Sequence, residues 1–319
     1  MICIDLATGL PTDLQSIPAT VTALGNFDGV HIGHQALLAE TVRVSAQIST
    51  EQLTVAPAVW FFRDPPSDTL RTPPIPHLST LSDKLRRFSE HGIRYAFLGE
   101  FSKLGALSPE SFVKELLQKE CRTVHAVCGF NFSFGYRGAG TPALLSDLLD
   151  GAISVIAPIE EGGIPISSTR IRALLANGDA RKASELLGHP YTLTAPVLHG
   201  KELGRTMKFP TANQEFPPLS VIPKHGIYAV EVRFPEDPEA LHYGVCNVGL
   251  RPTVETSDRA NCETFILDYS GDLYGKEIEI SFIEHIRDER RMSGIEELRS
   301  AIYNDAEAAR RILGCSSEL

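Results

Sequence analysis

The sequence lacks any segment that is long and apolar enough to cross a membrane, which would require about 18 consecutive apolar residues. Its first residues, MICIDLATGLPTDLQ, also lack the basic start and apolar run of a secretion signal. These two absences predict a cytoplasmic protein with no membrane partner.

Cysteine is scarce and scattered, with 6 residues in a chain of 319 and no CxxC pair. The cysteines are Cys3, Cys121, Cys128, Cys246, Cys262 and Cys315. A structural zinc site or a disulfide framework requires paired or regularly spaced cysteines. We therefore expect free or buried thiols and no redox chemistry.

An excess of basic residues is also missing. The chain has 30 Lys and Arg against 40 Asp and Glu, a formal net charge of -10 at pH 7. Nucleic-acid binding draws on many Lys and Arg contacts to phosphate, so this balance argues against a nucleic-acid partner. It leaves room for local anion sites and small-molecule substrates, and it indicates no particular oligomeric state.

The length predicts two domains, because 319 residues exceed the size at which one hydrophobic core usually keeps growing. Residues 1–186 alternate strand-like and helix-like runs, as in a parallel sheet covered by helices on both faces. Residues 187–319 consist of short strand-like runs without helices between them, which indicates an antiparallel sandwich or barrel. A final helix, capped by Ser293 with Glu296 three residues later, closes the chain.

Individual elements follow from the periodicity of apolar residues. In the first domain the predicted strands are ATVTALG (19–25), TVAPAVWFF (54–62), IRYAFLG (93–99) and TVHAVCG (123–129). The predicted helices are HQALLAETVRVSAQ (34–47), LSDKLRRFSEHG (81–92) and SPESFVKELLQKE (108–120). In the second domain the predicted strands lie within 191–200, 226–234, 242–249, 262–275 and 276–286.

The segment GNFDGVHIGH, residues 25–34, stands between the first predicted strand and its helix. Ligands bind at the carboxyl ends of parallel strands, glycines let a backbone approach a ligand closely, and a helix N-terminus offers N–H groups to an anion. His31 and His34 share one helix face. The segment therefore indicates a phosphate site, with two surface histidines or a metal-binding pair as the alternatives.

A second nucleotide-binding candidate is ISSTRIR, residues 166–172. Ser168 and Thr169 offer hydroxyls, and Arg172 offers the guanidinium fork that suits bidentate contact with phosphate. Alone, this segment is equally typical of a helix N-cap followed by a surface arginine.

The second half contains a Gly-rich basic segment, HGKELGRTMKFPTAN, residues 199–213. It is typical of a loop that covers phosphates, and its end offers the Thr211 hydroxyl and the Asn213 carbonyl on alternate positions. Mg²⁺ takes few protein oxygens together with nucleotide phosphates, so these two residues suit it. A polar turn between two strands is the alternative.

Taken in order, these motifs resemble the bacterial bifunctional riboflavin kinase/FAD synthetase family. GNFDGVHIGH is similar to the family's nucleotidyltransferase signature, GFNFSFG (129–135) to its flavin-side segment, and ISSTRIR to its second nucleotide motif. GRTMKFPTAN, NVGLRPTV (247–254) and CETFILDYSGDLYGK (262–276) resemble the riboflavin kinase domain in sequence and order. The resemblance covers nearly the whole chain.

The resemblance implies a Rossmann-like nucleotidyltransferase domain over 1–186, followed by an antiparallel Greek-key β-barrel with a C-terminal helix over 187–319. It implies phosphorylation of riboflavin to FMN and adenylylation of FMN to FAD with release of pyrophosphate. ATP and Mg²⁺ would serve both reactions. Alignment and positive charge around the developing oxyanions would promote the adenylyl transfer.

The resemblance also assigns residues to roles. The catalytic residues it implies are Glu263 as the base of the kinase, and His31, His34 and Arg172 in adenylyl transfer. The ATP or phosphate ligands it implies are Gly25, Asn26, Phe27, Asp28, Gly33, Ser168, Thr169, Gly204 and Arg205. The flavin ligands it implies are Asn131, Phe132, Arg137, Asn247 and Arg251, and the metal ligands are Thr211 and Asn213. Asp28 could also orient a histidine or hold its own turn, and Glu263 could be an outward-facing strand residue.

Two departures from the family pattern keep other hypotheses open. FFRDPP (61–66) has Pro65 where the family typically has the histidine of Pro-His-Pro, and Lys208 stands where the family usually has glycine. One alternative is that only one activity is retained, and another is a non-catalytic flavin-binding or regulatory protein. A class I aminoacyl-tRNA synthetase relative would explain HIGH (31–34) but not the C-terminal motifs.

Overall fold

The structure is a computed structural model that describes residues 1–6, 17–199, 211–250 and 260–315. The chain divides into two compact units, residues 1–168 and 169–319. Two units agree with the number of domains expected from the length, whereas the boundary after residue 186 stays a prediction. Within the described ranges, no helix combines the length and the hydropathy needed to cross a membrane.

The first unit is built on a parallel sheet with the strand order β1-β4-β3-β2-β5-β6. Its strands are β1 (Ile2–Asp5), β2 (Ala19–Leu24), β3 (Val55–Phe62), β4 (Tyr95–Gly99), β5 (Thr123–Gly129) and β6 (Ile153–Ile156). Apart from β1 at the edge, the order runs outward in both directions from β2, which is the Rossmann arrangement. The order reverses between β2 and β5, and the predicted fold class of this half is confirmed.

Helices connect these strands. They are α1 (Ile32–Ile48), α2 (Pro66–Leu70), α3 (Leu81–Glu90), α4 (Phe101–Leu104), α5 (Pro109–Ser111) and α6 (Pro142–Leu148), and a hairpin of β7 (Glu160–Glu161) and β8 (Ile164–Pro165) follows. The helices near 34–47, 81–92 and 108–120 lie where the apolar periodicity predicts them, whereas the short helices α2, α4 and α6 were not predicted. The helix predicted over 108–120 begins as predicted, with the Ser108 side chain accepting a hydrogen bond from the Ser111 N–H. From Phe112 to Glu120 it winds as a π-helix, which apolar spacing did not predict.

The sheet of the first unit is covered on both faces by apolar side chains. Trp60 and Phe61 are both buried but belong to different core clusters, because successive strand residues point to opposite faces. Phe112 contacts the Trp60 ring on one face, and Phe88 contacts the Phe61 ring on the other. The burial of β3 on both faces confirms the continuous apolar run predicted over 54–62.

The second unit contains an antiparallel sheet with the strand order β10-β13-β12-β11-β14-β9. Its strands are β9 (Tyr191–Pro196), β10 (Thr211–Glu215), β11 (Gly226–Phe234), β12 (Asp237–Leu250), β13 (Ala260–Ile266) and β14 (Glu277–Arg287). A bridge between Leu198 and Asn213, with the Leu198 N–H donating to the Asn213 carbonyl at 2.7 Å, links the two edge strands. The sheet is therefore a curled antiparallel half-barrel whose edges meet at this bridge, which agrees with the predicted fold class.

The remaining helices are α7 (Ser168–Ala176), α8 (Ala180–Leu187) and α9 (Ile295–Leu313). Helix α9 packs Ala306 and Ala309 against the sheet, and Arg287 forms a bidentate ion pair with Asp305 at 2.6 and 2.8 Å. The predicted cap of this helix is wrong, because Gly294 occupies the N-cap position and makes no side-chain bond.

Ser293 instead donates its N–H and O–H to the Glu297 carboxylate at 2.7 and 2.6 Å. The carboxylate that reaches back to Ser293 is thus four residues away rather than three. Helix α9 therefore begins one residue closer to the C-terminus than the sequence predicts.

Thr80 and Asp83 form a capping box at the start of α3, because each side chain accepts a hydrogen bond from the other residue's N–H. Thr80→Ala removes one of these bonds and should lower the free energy of unfolding by about 1 kcal/mol. Urea titration followed by the fluorescence of Trp60, the single tryptophan, reports on the first unit. Ser89→Ala, at an exposed position of the same helix, should cause no loss, and equal midpoints for both variants would contradict the prediction.

Candidate active sites

Two of the motifs leave the parallel sheet side by side. The GNFDG turn (residues 25–29) follows β2, and GFNFSFG begins at the last residue of β5. β2 and β5 are neighbours, and the strand order reverses between them. The crevice at such a reversal, outside the carboxyl ends of the strands, is where ligands bind in open parallel sheets.

The GNFDG turn has a strained backbone around a buried aromatic ring. Phe27 has φ 51° and Gly29 has φ 77°, both in the left-handed region. The Phe27 ring is fully buried and meets the Phe88 ring edge-on at 5.3 Å between centroids. Gly25 is needed beside it, because a Cβ on Gly25 would lie 3.3 Å from the Phe27 ring. This glycine makes room for a side chain of the protein itself.

His31 and His34 lie together at the start of α1, as their spacing predicts. His31 is the N-cap residue, and its Nδ1 accepts a hydrogen bond from the His34 N–H at 3.3 Å. The two rings are stacked, with 3.7 Å between centroids. A Cβ on Gly33 would lie 3.1 Å from the His31 ring, so Gly33 makes room for the imidazole.

Burial keeps both histidines uncharged near neutral pH. Burial lowers the pKa of His31 to about 4. The pKa of His34 lies well below its ordinary value because of burial, with smaller effects from the neighbouring His31 and Lys84, whose protonated forms disfavour a second positive charge. Near neutral pH the pair therefore does not supply the positive charge that the resemblance implies around the developing oxyanions. The His34 Nδ1 atom is enclosed and has no hydrogen-bond partner among the described residues.

The turn is tied to a loop that the sequence analysis missed. The Asp28 carboxylate accepts a hydrogen bond from the Leu78 N–H at 2.8 Å, and the Gly29 N–H donates to the Ser79 hydroxyl at 2.9 Å. Asp28 therefore holds two loops together, a role beyond the alternatives considered from sequence. The contact spans 50 residues of chain.

Lys84 is the second residue that sequence reasoning missed. It lies in the first turn of α3 and donates from Nζ to the Asn26 carbonyl at 3.2 Å. The sequence did contain one signal for Lys84. A cation near the start of a helix opposes the helix dipole, which has an energetic cost and therefore indicates a specific role.

The second nucleotide motif contacts the first through Ser168. Its hydroxyl donates to the Asp28 carbonyl at 2.9 Å, so the first residue of α7 lies against the GNFDG turn. Thr169 is exposed and Arg172 is half-buried, both on α7 within the second compact unit.

The flavin-side segment combines core and surface residues. Phe134 is buried and stacks on the half-buried Phe132, with 5.8 Å between ring centroids. Asn131 and Arg137 are exposed, and the Arg137 guanidinium lies over the exposed Tyr136 ring at 5.2 Å. Phe134 thus belongs to the core, whereas the polar side chains of the segment can meet a ligand.

Residues 61–66, where the sequence departs from the family pattern, lie at the end of β3, beside the strand that leads into the GNFDG turn. Pro65 is buried and is the N-cap residue of the short helix α2. In the same helix Asp68 contacts the Nε2 atom of His77 at 3.0 Å. An imidazole is thus present on the loop that also carries Leu78, although none occupies position 65.

In the barrel, the kinase motifs assemble into one row across neighbouring strands. Asn213 on β10 lies opposite Glu263 on β13, and Glu263 lies opposite Asn247 on β12. Opposite residues of antiparallel strands share a face. Cys262 and Thr264, on either side of Glu263, are fully buried, so Glu263 points to the other face of the sheet. The Thr211 hydroxyl donates to the Glu263 carboxylate at 2.9 Å.

The donors of this row fit a magnesium ion that also binds nucleotide phosphates. Thr211 donates its proton to Glu263 and accepts a long hydrogen bond of 3.5 Å from the Asn213 amide, which leaves one lone pair on its hydroxyl oxygen. Asn247, which the resemblance assigns to the flavin and not to the metal, has an enclosed Oδ1 atom without a partner in the described part of the chain. Hydroxyl and amide oxygens are hard ligands of the kind Mg²⁺ takes. No group of three or more His, Cys, Asp or Glu that could hold a metal occurs among the described residues.

Some predicted residues lie outside the described residues. They are Gly204, Arg205, Lys208 and Arg251. The roles assigned to them from sequence stay predictions.

Comparison with known proteins identifies both halves. The family model for FAD synthetase matches residues 14–170, and the model for riboflavin kinase matches residues 187–313. The bifunctional riboflavin kinase/FMN adenylyltransferase of Bacillus subtilis is 35% identical over 300 residues, with 92% of each chain covered. The Escherichia coli K12 protein of the same name is 37% identical over 302 residues, covering 92% of this chain and 93% of the relative.

A solved structure has the same overall fold. The crystal structure described as a macrolide-efflux protein from Streptococcus pneumoniae matches with a TM-score of 0.84 and 27% sequence identity. The match covers 97% of this chain and 99% of that chain.

The lowered pKa of His31 has a consequence for stability. Unfolding restores an ordinary histidine pKa near 6.5, so between about pH 6.5 and 4 the unfolded chain binds more protons than the folded one. The contribution of the uncharged His31 to the free energy of unfolding is complete above this pH range. It should fall by up to about 3 kcal/mol as the pH drops through the range.

His31→Asn should remove this dependence, because asparagine still caps the helix but does not titrate. Urea titrations of both proteins at several pH values between about 4 and 7, followed by Trp60 fluorescence, measure it. Parallel stability curves for the two proteins would show the prediction to be wrong.

Proposed function

This chain belongs to the bifunctional riboflavin kinase/FMN adenylyltransferase family, and from that premise we propose where its two reactions take place. The chain phosphorylates riboflavin to FMN and adenylylates FMN to FAD, with ATP as the donor in both reactions. Adenylyl transfer takes place at His31 and His34, and phosphoryl transfer takes place at Glu263.

In the adenylyl transfer, the phosphates of ATP lie against the start of α1. The stacked rings of His31 and His34 at the N-terminus of α1 support this placement, because the unpaired N–H groups at the start of a helix favour an anion. The FMN phosphate attacks the α-phosphorus of ATP, and the bond to pyrophosphate breaks. The histidines align the phosphates by hydrogen bonds, since they carry no charge near pH 7. The sequence resemblance implies that Arg172 takes part in the same step, with its permanent positive charge.

The other residues of this half bind the two substrates. Gly25, Asn26, Phe27, Asp28 and Gly33 shape the phosphate pocket through the turn and the start of α1. Ser168 and Thr169 complete the nucleotide contacts, supported by the hydrogen bond between Ser168 and Asp28. The flavin residues of this half are Asn131, Phe132 and Arg137.

In the phosphoryl transfer, Glu263 is the general base. Its carboxylate accepts the proton of the riboflavin ribityl hydroxyl as that oxygen attacks the γ-phosphorus of ATP and the bond to ADP breaks. Thr211 orients the carboxylate through its hydrogen bond. Mg²⁺, held by Thr211 and Asn213, supplies charge neutralisation for the phosphates when bound. Asn247 and Arg251 contact the flavin, and Gly204 and Arg205 contact the nucleotide.

The observation that carries the kinase assignment is the row of Asn213, Glu263 and Asn247. These residues come from three separate motifs of the sequence and meet on one face of the barrel. Apolar packing does not explain why two amide side chains lie next to a carboxylate on neighbouring strands. A ligand that all three side chains contact is the simplest explanation.

We further propose that the protein works in the cytoplasm on small-molecule substrates, without a nucleic-acid or membrane partner. All six cysteines are free thiols, which fits a reducing compartment. The net charge of -10 fits small-molecule substrates better than nucleic acid.

Two parallel incubations test the assignment of both halves. One contains riboflavin and the other FMN, each with ATP and Mg²⁺, and chromatography separates riboflavin, FMN and FAD. FMN in the first and FAD in the second are the expected products. FMN without FAD would locate a defect at residues 61–66, and FAD without FMN would implicate Lys208. No product in either incubation would favour a flavin-binding protein without turnover.

Glu263→Gln should lower the rate of riboflavin phosphorylation by about 10²–10⁴-fold, because the amide cannot accept the proton. FAD formation from added FMN should be unchanged, which shows that the protein is folded. Glu277→Gln, on an exposed position of the same barrel, is the matched control and should keep both activities. A normal rate of riboflavin phosphorylation by Glu263→Gln would show that Glu263 is not the general base.

His31→Asn should lower the rate of FAD formation from FMN by about 10²-fold, because one of the two imidazoles proposed to align the ATP phosphates is lost. Riboflavin phosphorylation in the other half should be unchanged. His91→Asn, at the end of α3, is the control and should leave both rates intact. Equal FAD formation by His31→Asn and the unsubstituted protein would refute the placement of ATP at this pair.

A further inference from the structure

The loop after α2 carries a histidine bonded to a carboxylate, and neither residue has a role in the two proposed reactions. Residues 71–79, RTPPIPHLS, lead from α2 toward α3 and include three prolines, which have no N–H to donate. Fewer backbone hydrogen bonds are therefore available to fix the loop. The Nε2 atom of His77 lies 3.0 Å from each carboxylate oxygen of Asp68 in α2. An ionised carboxylate only accepts hydrogen bonds, so Nε2 carries the proton.

The His77–Asp68 pair is largely shielded from water. The side chains of His77 and Asp68 are 24% and 15% exposed. A hydrogen bond in such surroundings is stronger than in water, and leaving one partner alone there is costly. Asp68 also accepts a hydrogen bond from the Ser67 hydroxyl at 3.3 Å, but that contact lies within α2. The contact with His77 joins α2 to a residue nine positions later in the chain.

The loop is bonded in turn to the GNFDG turn. Leu78, the neighbour of His77, donates its N–H to the Asp28 carboxylate at 2.8 Å, and the Ser79 hydroxyl accepts the Gly29 N–H at 2.9 Å. Because covalent geometry fixes the distance from one residue to the next, the Cα atom of His77 lies within about 5 Å of that carboxylate oxygen. A continuous chain of short contacts therefore runs from α2 to the turn.

The GNFDG turn needs such support because its backbone is strained. Phe27 and Val30, on either side of residues 28–29, have φ 51° and 41°, both in the left-handed region. Residues with side chains keep this conformation only where the surrounding structure fixes it. The turn leads directly into α1, where His31 caps the helix and stacks on His34. The hydrogen bonds from residues 78 and 79 thus help to place the start of α1.

We propose that His77 and Asp68 are positioning residues for adenylyl transfer, which hold residues 77–79 against the GNFDG turn and keep the phosphate pocket in its ATP-binding form. The proposal rests on the proposed placement of ATP at His31 and His34. Without the pair, the turn has its binding conformation in only a fraction of the molecules. The apparent affinity for ATP falls in proportion to that fraction.

His77→Leu tests the pair, because leucine cannot donate a hydrogen bond to Asp68. In FAD formation from FMN, the KM for ATP should rise about tenfold while kcat changes less than about threefold, because bound ATP restores the turn. The KM for ATP in riboflavin phosphorylation should be unchanged. A general loss of stability gives a different result, since it lowers the amount of active protein and leaves the KM as it was.

His77→Gln tests whether the hydrogen bond itself matters. The glutamine amide offers an N–H donor at about the same distance from the backbone as the Nε2 atom of histidine. We expect a KM for ATP within about threefold of that of the unsubstituted protein. A rise as large as that in His77→Leu would overturn the role of this hydrogen bond.

Asp68→Ala removes the other partner, and alanine suits its position in a helix. The KM for ATP should rise as in His77→Leu, and the double variant His77→Leu/Asp68→Ala should show no larger rise than either single variant, because all three lose the same interaction. Effects that multiply in the double variant would overturn the pair. If His77→Leu fails to fold, Asp68→Ala decides, since a raised KM supports the proposal and an unchanged one overturns it.

Two controls separate position from stability. His91→Leu makes the same change at the C-cap of α3 and should leave the KM for ATP unchanged. Ser49→Ala, at the far end of α1 from His31, removes a hydroxyl that accepts the Val55 N–H at 3.1 Å. It should lower stability without raising the KM. A raised KM in Ser49→Ala would show that the KM follows stability, which would overturn the proposal.

The outcomes separate this proposal from the proposed function on which it rests. Normal FAD formation by His31→Asn overturns the placement of ATP and the role of the His77–Asp68 pair with it. Impaired FAD formation by His31→Asn, together with an unchanged KM for ATP in His77→Leu and Asp68→Ala, overturns the role of the pair alone.

Discussion

The N-terminal site depends on the burial of one ring, that of Phe27. The residue has φ 51°, a left-handed conformation that costs about 1–2 kcal/mol for a residue with a side chain. Burial of a phenylalanine side chain contributes about 1.5–3 kcal/mol, so the ring offsets the strain and holds the turn. The same conformation turns the Asn26 carbonyl toward Lys84 and the Asp28 carboxylate toward the Leu78 N–H. Apolar burial in the core thereby determines where the polar groups of the pocket lie.

The C-terminal site depends on strand register instead. Glu263 and Asn247 share a face because their strands pair in one register, and the buried Cys262 and Thr264 occupy the other face. A slip of one residue would place the carboxylate inside the barrel, where an unpaired charge is strongly disfavoured. The core residues of β13 thus fix the position of the proposed base. One chain therefore places its two sets of reactive groups by different means, a strained turn in one half and an alternating strand in the other.

Much of this organisation was predictable from sequence, because it depends on local spacing. The apolar run of β3 and the i, i+3 spacing of His31 and His34 require no knowledge of distant residues. The order of motifs also indicated the barrel. Contacts of long range were not predictable: Leu78 meets Asp28 across 50 residues, and no local pattern marks it as a partner. The uncharged state of His31 likewise follows from burial by the tertiary fold, and the cap at Ser293 depended on which of two nearby glutamates reached back.

The stacked, uncharged histidines also bear on product release. In the proposed site, ATP enters and pyrophosphate leaves through the same pair of rings. Hydrogen bonds from neutral imidazoles are directional, so they select the geometry of the phosphate chain without strong net attraction for any polyanion. A pocket lined by two cations would hold pyrophosphate tightly after the bond has broken and would slow turnover. If ATP binds at this pair as proposed, neutral rings would let the site recognise a highly charged substrate and still release a highly charged product.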